Sequence, residues 1–257
     1  MPSPDNTRSI IRTELEKIGL GPIGRSANTW KTCLFDSFEL LPAATQAAGN
    51  SYNWDLDGNG TEAVAFATTG GGITLSTGTT ANNSCSLNPL STSAWGVNRL
   101  ADGSREHWLS TQIATPATIT DTAILWGLKL TDTNNTASPY KTDDNQVLIV
   151  YDTAGIDIDP ASGQADIAAG AANFYVVYSI GGSDYAIDTG VRVAASTDYK
   201  FDIRIGTDGR SQVYINDVFI HTTPILTSAN LKPAFCVYTR TTASRSMTPR
   251  WVRYLGR

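Results

Sequence analysis

Hydrophobic and polar residues alternate most regularly between residues 199 and 220. From Tyr199 to Ile205 every second residue is aromatic or aliphatic, and the residues between them are charged. A period of two places the apolar side chains on one face of a strand and the charged ones in water. Asp208-Gly209 and Asn216-Asp217 are two-residue turn signals, because these residue types tolerate the positive φ of a tight hairpin. The segment therefore predicts a meander of three antiparallel strands.

Short apolar runs separated by Gly, Asn, Asp and Thr continue along the chain from Leu34 onward. Many short strands bounded by turn residues favour an all-β fold, a two-sheet antiparallel jelly-roll sandwich. The polar segments 131–145 and 152–172 are predicted to be long loops. The strands are predicted at Leu34–Leu40, Glu62–Thr68, Gly72–Ser76, Glu106–Ile113, Ala123–Thr131, Gln146–Asp152, Phe174–Ile180, Tyr185–Thr189, Tyr199–Ile205, Gln212–Ile215, Phe219–Thr222, Ala234–Thr239 and Arg250–Leu255.

One helix is predicted, over residues 5–18, with Asp5 or Asn6 as its N-cap and Gly19 at its end. Its apolar residues recur at helical spacing, but a single amphipathic helix cannot bury its own stripe. The glycine-rich segment 19–24 that follows is typical of a linker. Residues 1–31 are therefore expected to form an N-terminal helical arm, or a helix folded back over an open end of the sandwich, and residues 32–257 the sandwich itself.

Composition agrees with a β-rich chain. Charged residues make up 17% of the 257 residues and Glu occurs only five times, so the residues from which helices are usually built are scarce. The three cysteines, Cys33, Cys85 and Cys236, are odd in number and lack a CxxC spacing, which predicts small buried hydrophobes rather than disulfides or a zinc site. The N-terminus lacks the apolar region of a signal peptide, and no run approaches eighteen apolar residues, so a soluble chain made in the cytoplasm is expected.

Charge is distributed unevenly around a net value of -5. Residues 1–31 carry five basic and three acidic residues, and residues 240–257 carry five arginines and no acid, so the segment between them is strongly acidic. The basic ends lack a dense Lys/Arg run with interleaved aromatics, which makes nucleic acid an unexpected partner. Docking of these ends onto an acidic protein surface is the preferred interpretation.

Several motifs follow one another in a characteristic order along the chain. They are Leu34-Phe35-Asp36-Ser37-Phe38-Glu39, the glycine-rich run from Gly70 to Thr80, Trp126-Gly127-Leu128, the module from Tyr199 to Val218, the strand from Leu231 to Val237, and the ending from Trp251 to Arg257. Taken in this order, they resemble the concanavalin-like or laminin-G-like jelly rolls of tailed-bacteriophage virion proteins. The resemblance covers residues 32–257, and its weight lies in the order of the motifs.

The resemblance implies a structural virion protein, made in the host cytoplasm, that decorates or cements the outside of a phage capsid as a homotrimer. It implies no catalysis and no membrane contact, and the major capsid protein would be the partner. Whether such a protein acts as cement, head fibre or tail component stays open. The alternative is a carbohydrate-binding module or a receptor-binding fibre domain, with surface glycans as the partner. Contacts with capsid or sister subunits are expected from Arg8, Ile10, Ile11, Arg12, Leu15, Ile18, Arg250, Arg253 and Arg257.

The sharpest local motif is Asp55-Leu56-Asp57-Gly58-Asn59-Gly60-Thr61-Glu62. Carboxylates at alternate positions before a glycine turn can converge oxygens on Ca²⁺. The position twelve residues along is Phe66 rather than a bidentate Glu, so this is not an EF-hand. No cofactor is expected; the alternative to a plain turn is a Ca²⁺ site formed by Asp55, Asp57, Asn59 and Glu62.

Aromatic residues offer a second candidate chemistry, because an exposed indole can stack on a sugar ring. Most of the six tryptophans are expected in the core. Trp54 and Trp95 lie in Asn/Ser-rich segments and are therefore the candidates for glycan contact.

Enzymatic function is not expected. A jelly-roll glycosidase needs a strand with paired carboxylates, typically Glu-x-Asp-x-Glu, and the sequence contains none. The segment 12–15 resembles the Arg-Thr-Glu-Leu signature of alginate lyases but falls on the predicted helix, and its expected partner motif lacks the histidine at Ala114. His107 and His221 have no nucleophile pattern nearby. A polysaccharide hydrolase or lyase stays the less favoured alternative.

Overall fold

The computed structural model describes residues 32–38, 54–59, 61–89, 106–130, 144–158, 162–226 and 231–256. These ranges contain fifteen strands: β1 (Thr32–Asp36), β2 (Trp54–Gly58), β3 (Ala63–Phe66), β4 (Ile73–Ser76), β5 (Ser84–Pro89), β6 (His107–Ala114), β7 (Thr122–Lys129), β8 (Asn145–Asp152), β9 (Asn173–Ile180), β10 (Ser183–Arg192), β11 (Asp198–Ile205), β12 (Arg210–Ile215), β13 (Val218–Ile225), β14 (Lys232–Thr239) and β15 (Ser246–Gly256).

The strands form two antiparallel sheets. Sheet I has the order β13-β12-β11-β6-β15-β4-β3, with β1 also paired to β15, and sheet II has the order β10-β9-β8-β7-β14-β5-β2. Neighbours in each sheet come from distant parts of the chain, for example β6 between β11 and β15. The predicted all-β sandwich of two antiparallel sheets is confirmed, and the arrangement is that of a jelly roll.

The predicted meander is present as β11, β12 and β13, which are successive neighbours at one edge of sheet I. Asn216 and Asp217 have φ of 51° and 64°, which is the left-handed geometry that a two-residue hairpin turn requires. Gly209 supplies the positive φ, 75°, in the turn before β12. The turn residues therefore act as the sequence pattern indicates.

The main core lies between the sheets and is built from the apolar side chains that point inward from each sheet. Trp126 of sheet II stacks on Phe201 of sheet I at a ring distance of 5.8 Å, and Phe174 meets Phe201 edge to face at 5.2 Å. Both residues of the first pair, and Phe174, are at most 2% exposed. Burial of such large rings on both inner faces is the principal force that holds the two sheets together.

A second apolar cluster covers part of the outer face of sheet II. Leu125, Leu148 and Val177 on the sheet contact Ile156 and Ile158, which belong to the connection between β8 and β9. That connection is bound back on itself by reciprocal hydrogen bonds between Ile156 and Ile167. The segment predicted as a polar loop therefore closes this half of the outer face with the chain's own residues.

The predicted arm, residues 1–31 with its helix at 5–18, lies outside the described residues, as does most of the loop predicted at 131–145. Cys85 and Cys236 are buried free thiols, as predicted. Burial raises the pKa of Cys85 to about 12, so it stays a neutral thiol at ordinary pH. Within the described ranges, no helix has the length and apolar character needed to cross a membrane.

Candidate functional site

The outer face of sheet I carries a continuous row of aromatic rings and guanidinium groups. Leu109, Phe201 and Val213 belong to the core, so the residues that alternate with them on β6, β11 and β12 point away from it. We call the resulting row the aromatic-arginine ladder. It comprises Phe35, Trp251, Arg253, Trp108, Arg204, Tyr214 and Phe219, from six neighbouring strands.

The centre of the ladder is tightly stacked. The Arg204 guanidinium carbon lies 4.3 Å from the ring centre of Trp108 and 4.4 Å from that of Tyr214. Arg253 covers the ring of Trp108 from 4.7 Å as well. Each such cation-π contact contributes about 0.5 to 2 kcal/mol, depending on how well it is shielded from water.

Strand register creates this stack. Arg204 lies directly opposite Trp108 in the pairing of β11 with β6, and Tyr214 lies diagonally across β12. The Trp108 indole donates a hydrogen bond from Nε1 to Oδ1 of Asp202 at 2.8 Å, which holds its ring in place. Lys200 in turn approaches the second oxygen of Asp202 at 3.7 Å. The ring that supports Arg204 is thus held by a buried carboxylate.

A cleft of about 540 Å³ opens at one end of the ladder. It is formed where β6, β11, β12 and β13 meet the turn between β11 and β12. Its lining combines one indole, two guanidinium groups, two carboxylates, an amide and a hydroxyl. The lining residues are Glu106, His107, Trp108, Arg204, Ile205, Gly206, Asp208, Arg210, Gln212 and Thr222.

Several cleft side chains are held by neighbours. Asp208 accepts a hydrogen bond from the backbone N–H of Arg210 at 3.1 Å and pairs with the Arg210 side chain at 3.7 Å. Gln212 accepts from the Tyr214 hydroxyl at 3.0 Å. His107 is joined through Nδ1 to the Tyr254 hydroxyl at 2.7 Å. The cleft therefore presents fixed polar groups on a rigid sheet, the arrangement typical of small-molecule sites.

The glycan contact predicted for Trp54 is wrong. Its side chain is 3% exposed, its indole donates to Oδ2 of Asp36 at 2.8 Å, and its ring packs against Phe38 and Phe235. The reason is strand phase: Trp54 and Leu56 are the core-facing residues of β2. The second predicted glycan contact, Trp95, lies outside the described residues.

The segment 55–62, for which a turn is predicted with a Ca²⁺ site of Asp55, Asp57, Asn59 and Glu62 as the alternative, begins as a strand. Asp55 and Asp57 belong to β2, an extended strand paired with β5, so their side chains are held apart along one face. Asn59 uses Oδ1 to accept from the backbone and hydroxyl of Ser84, at 2.6 and 3.2 Å. In the described ranges, no group of three His, Cys, Asp or Glu side chains could hold a metal ion.

Arg250 and Arg253, near the C-terminus, hydrogen-bond to or stack on neighbouring parts of the fold. Arg250 donates to Oδ1 of Asp198 at 3.0 Å and to the carbonyls of Thr69 and Gly71, the latter at 2.9 Å. Arg253 is 4% exposed within the ladder. Long β15 places both residues against neighbouring elements, and the capsid or subunit contact expected from them stays a prediction. Arg8, Ile10, Ile11, Arg12, Leu15, Ile18 and Arg257 lie outside the described residues.

The outer face of sheet II carries a chain of buried polar side chains. Lys129 donates to Gln146 at 3.1 Å, Gln146 donates to the Ser179 hydroxyl at 2.7 Å, and Ser179 donates to Asp184. All four side chains are at most 1% exposed. Their hydrogen bonds connect β7, β8, β9 and β10 and present no reactive group to solvent.

Sequence reasoning missed the ladder and the cleft. A signal was present, because Trp108, Arg204, Tyr214, Trp251 and Arg253 all fall in predicted strands or next to them. Each occupies an outward-facing strand position, between two core residues, where aromatic side chains are least expected. These outward-facing aromatic and arginine residues are the signal in the sequence that indicates an unusual outer face.

Comparison with solved structures identifies similar folds. A protein of unknown function from Shewanella oneidensis MR-1 aligns with a TM-score of 0.58 at 14% identity, covering 100% of this chain and 95% of the other. A glycoside hydrolase family 16 endo-glucanase from Bacteroides ovatus gives 0.56 at 9% identity, covering 86% of this chain and 99% of the other. Lectin II from Ulex europaeus gives 0.56 at 9% identity, covering 88% and 99%.

These likenesses show that the chain has a concanavalin-like jelly-roll fold. At such low identity they concern the fold alone, which hosts many functions. No family model matches the sequence. No curated protein matches it either.

Proposed function

We propose that this protein is a non-enzymatic carbohydrate-binding protein and that the cleft on the outer face of sheet I holds the glycan. The observation that carries the proposal is the lining of this cleft, which sets donors and acceptors side by side on four strands. A sugar presents hydroxyl groups that donate and accept at once, so it needs such a mixed lining. The cleft's two guanidinium groups and two carboxylates also balance in formal charge.

The rigidity of the cleft supports binding. Gln212 is held by the Tyr214 hydroxyl, and Tyr214 itself is stacked on Arg204. Side chains that are ordered before the ligand arrives lose less conformational entropy on binding. The fold comparison is consistent with this function, since a lectin and an endo-glucanase share the architecture.

Removing one polar group of the cleft tests the proposal. We expect Gln212→Ala to weaken glycan binding about fivefold to tenfold, because it deletes an amide that is fixed toward the cleft. The wild type would be screened on a glycan array, and the affinity of the best ligand measured by calorimetry. Thr79→Ala, at an exposed turn outside the cleft, is the control. Absence of any glycan binding by the wild type, or equal affinities for both variants, would contradict the proposal.

Two carboxylates line the cleft, and they make hydrolysis a measurable alternative. Glycosidases place two carboxyl groups on either side of the scissile bond. Asp208 accepts from the Arg210 backbone and so serves as a turn residue. We expect no release of reducing ends from bound oligosaccharides, and no difference between wild type and Glu106→Gln. Turnover that Glu106→Gln abolishes would make the protein an enzyme.

A role on a virion surface stays a prediction of the sequence resemblance. Its expected carriers lie mainly in residues 1–31, whereas a glycan-binding sandwich would suit the fibre alternative. We expect deletion of residues 1–31 to abolish cosedimentation with phage heads while the circular dichroism of the β fold is retained. Unchanged cosedimentation would show that residues 1–31 do not bind the capsid and would contradict this prediction.

A further inference from the structure

Arg204 has no ionic partner among the described residues. Its guanidinium lies near the rings of Trp108 and Tyr214, at 4.3 and 4.4 Å. Its Nε is buried and makes no hydrogen bond within the part of the chain that the structure describes. Arginine side chains in proteins ordinarily satisfy several of their five donors. Within the described ranges, the terminal N–H groups of Arg204 are therefore donors that a ligand could use.

The stacking decides which part of Arg204 a ligand can reach. Two ring centres lie within 4.4 Å of the guanidinium carbon, and a guanidinium that stacks on aromatic rings keeps its edge for a ligand. The N–H bonds of that edge lie in one plane, a geometry that matches two oxygens of a carboxylate or a sulfate. Since the rings also restrict the side chain, little rotamer entropy is lost when an oxyanion binds.

The other charged groups of the cleft do not cancel the preference of Arg204 for a carboxylate or a sulfate. Arg210 and Asp208 pair with each other at 3.7 Å, and their side chains are 51% and 62% exposed. Glu106 also lines the cleft, and its negative charge would repel an anion that bound close to it. The described lining thus contains one paired cation, Arg210, and one cation that stacks on aromatic rings, Arg204.

We infer that the glycan of the cleft carries an oxyanion, a carboxylate or a sulfate, that the edge of Arg204 binds through paired hydrogen bonds. This inference rests on the proposed function, because it concerns the ligand of the same cleft. It specifies the class of sugar: an acidic glycan rather than a neutral one.

Affinity measurements on matched ligands test the inference. Acidic glycans selected on the array would be compared by calorimetry with neutral counterparts: the methyl ester for a uronate, the desulfated form for a sulfated sugar. We expect neutralisation to weaken binding at least about tenfold. The ester and the desulfated arms also identify which oxyanion is bound. Equal affinity for the acidic ligand and its neutral counterpart would overturn the inference.

Variants separate the geometry of Arg204 from its charge. We expect Arg204→Gln to weaken binding at least about tenfold and to remove the discrimination between acidic and neutral ligands. Arg204→Lys should keep part of the affinity, since it retains the charge without the planar fork. Arg192→Gln, which removes the same charge from an exposed position outside the cleft, should change affinity less than about threefold. An equal loss in Arg204→Gln and Arg192→Gln would overturn the inference.

The outcomes distinguish the two proposals. A screen that finds only neutral glycans contradicts the inference and leaves carbohydrate binding intact. A screen that finds no glycan contradicts both. If Arg204→Gln fails to fold, the comparison of acidic and neutral ligands on the wild-type protein still decides the question.

Discussion

Replacing Gly127 with alanine is expected to lower the free energy of unfolding by about 3 kcal/mol or more. Gly127 has φ of +152°, in a region that L residues rarely adopt. A Cβ at this position would lie 2.2 Å from the Val147 carbonyl oxygen and 2.8 Å from the Leu148 Cα. Both obstacles are backbone atoms of β8, which is hydrogen-bonded on both sides within sheet II. The strand cannot move aside without breaking its pairing with β9.

Urea denaturation followed by tryptophan fluorescence measures this effect. Gly181→Ala is the matched control, because Gly181 also has a positive φ, 58°, but no atom lies within 4 Å of its added Cβ. The control isolates the conformational cost, which is about 1 kcal/mol for an ordinary residue in the left-handed region. Similar losses for the two variants would show that the close approach of β8 is not what requires glycine.

Gly127 also shows why the motif order pointed to the correct fold. The stretch Trp126-Gly127-Leu128 carries two core side chains on either side of a residue that must have none. Such a requirement leaves a mark in the sequence, as do the turn residues Asn216 and Asp217 with their positive φ. Local rules of this kind made thirteen of the fifteen described strands predictable. They concern only neighbouring residues, which a sequence displays directly.

Two strands escaped prediction because their local pattern is that of turns. β5 reads Ser-Cys-Ser-Leu-Asn-Pro, which is rich in turn formers, yet all six residues are buried. β2 contains Asp55 and Asp57 before a glycine and was interpreted as a calcium loop. Each becomes a strand because pairing with a neighbour, β5 with β14 and β2 with β5, satisfies its backbone. That pairing is a long-range property, and no short window of sequence contains it.

The candidate site was unpredictable for the same physical reason. Strand phase places Trp108 and Arg204 on outer faces, but nothing local brings β6 beside β11 with these two residues in register. The 96 positions that separate them in the chain contain most of sheet II. Conversely, the number of arginines in residues 240–257 indicates a basic surface, because a count of charges does not show which groups they contact in the fold. Arg240, Arg250 and Arg253 all make contacts inside the fold.

Arg240→Met is expected to lower the free energy of unfolding by about 3 to 5 kcal/mol. Arg240 donates from Nε to Oδ1 of Asp152 at 3.0 Å and pairs with its second oxygen, and the two side chains are 8% and 0% exposed. The pair joins the end of β8 to the end of β14, and Arg240 extends it to Asn82 through a hydrogen bond of 2.9 Å. The substitution leaves a fully buried carboxylate without its two charge-assisted hydrogen bonds, which is costly in a medium of low dielectric constant.

Chemical denaturation of three variants checks this expectation. Arg210→Met, in the exposed pair with Asp208, removes the same group and should cost less than about 1 kcal/mol. In the double variant Arg240→Met/Asp152→Asn the buried negative charge is gone, so part of the stability lost in Arg240→Met should return. Two results would contradict this expectation: a loss of unfolding free energy below about 1 kcal/mol for Arg240→Met, or a double variant that is less stable than either single variant. Either would mean that packing alone holds the ends of β8 and β14 together. The expected order of stability would therefore show that Arg240 stabilises the fold through its buried pair with Asp152, and does not act as part of a basic surface.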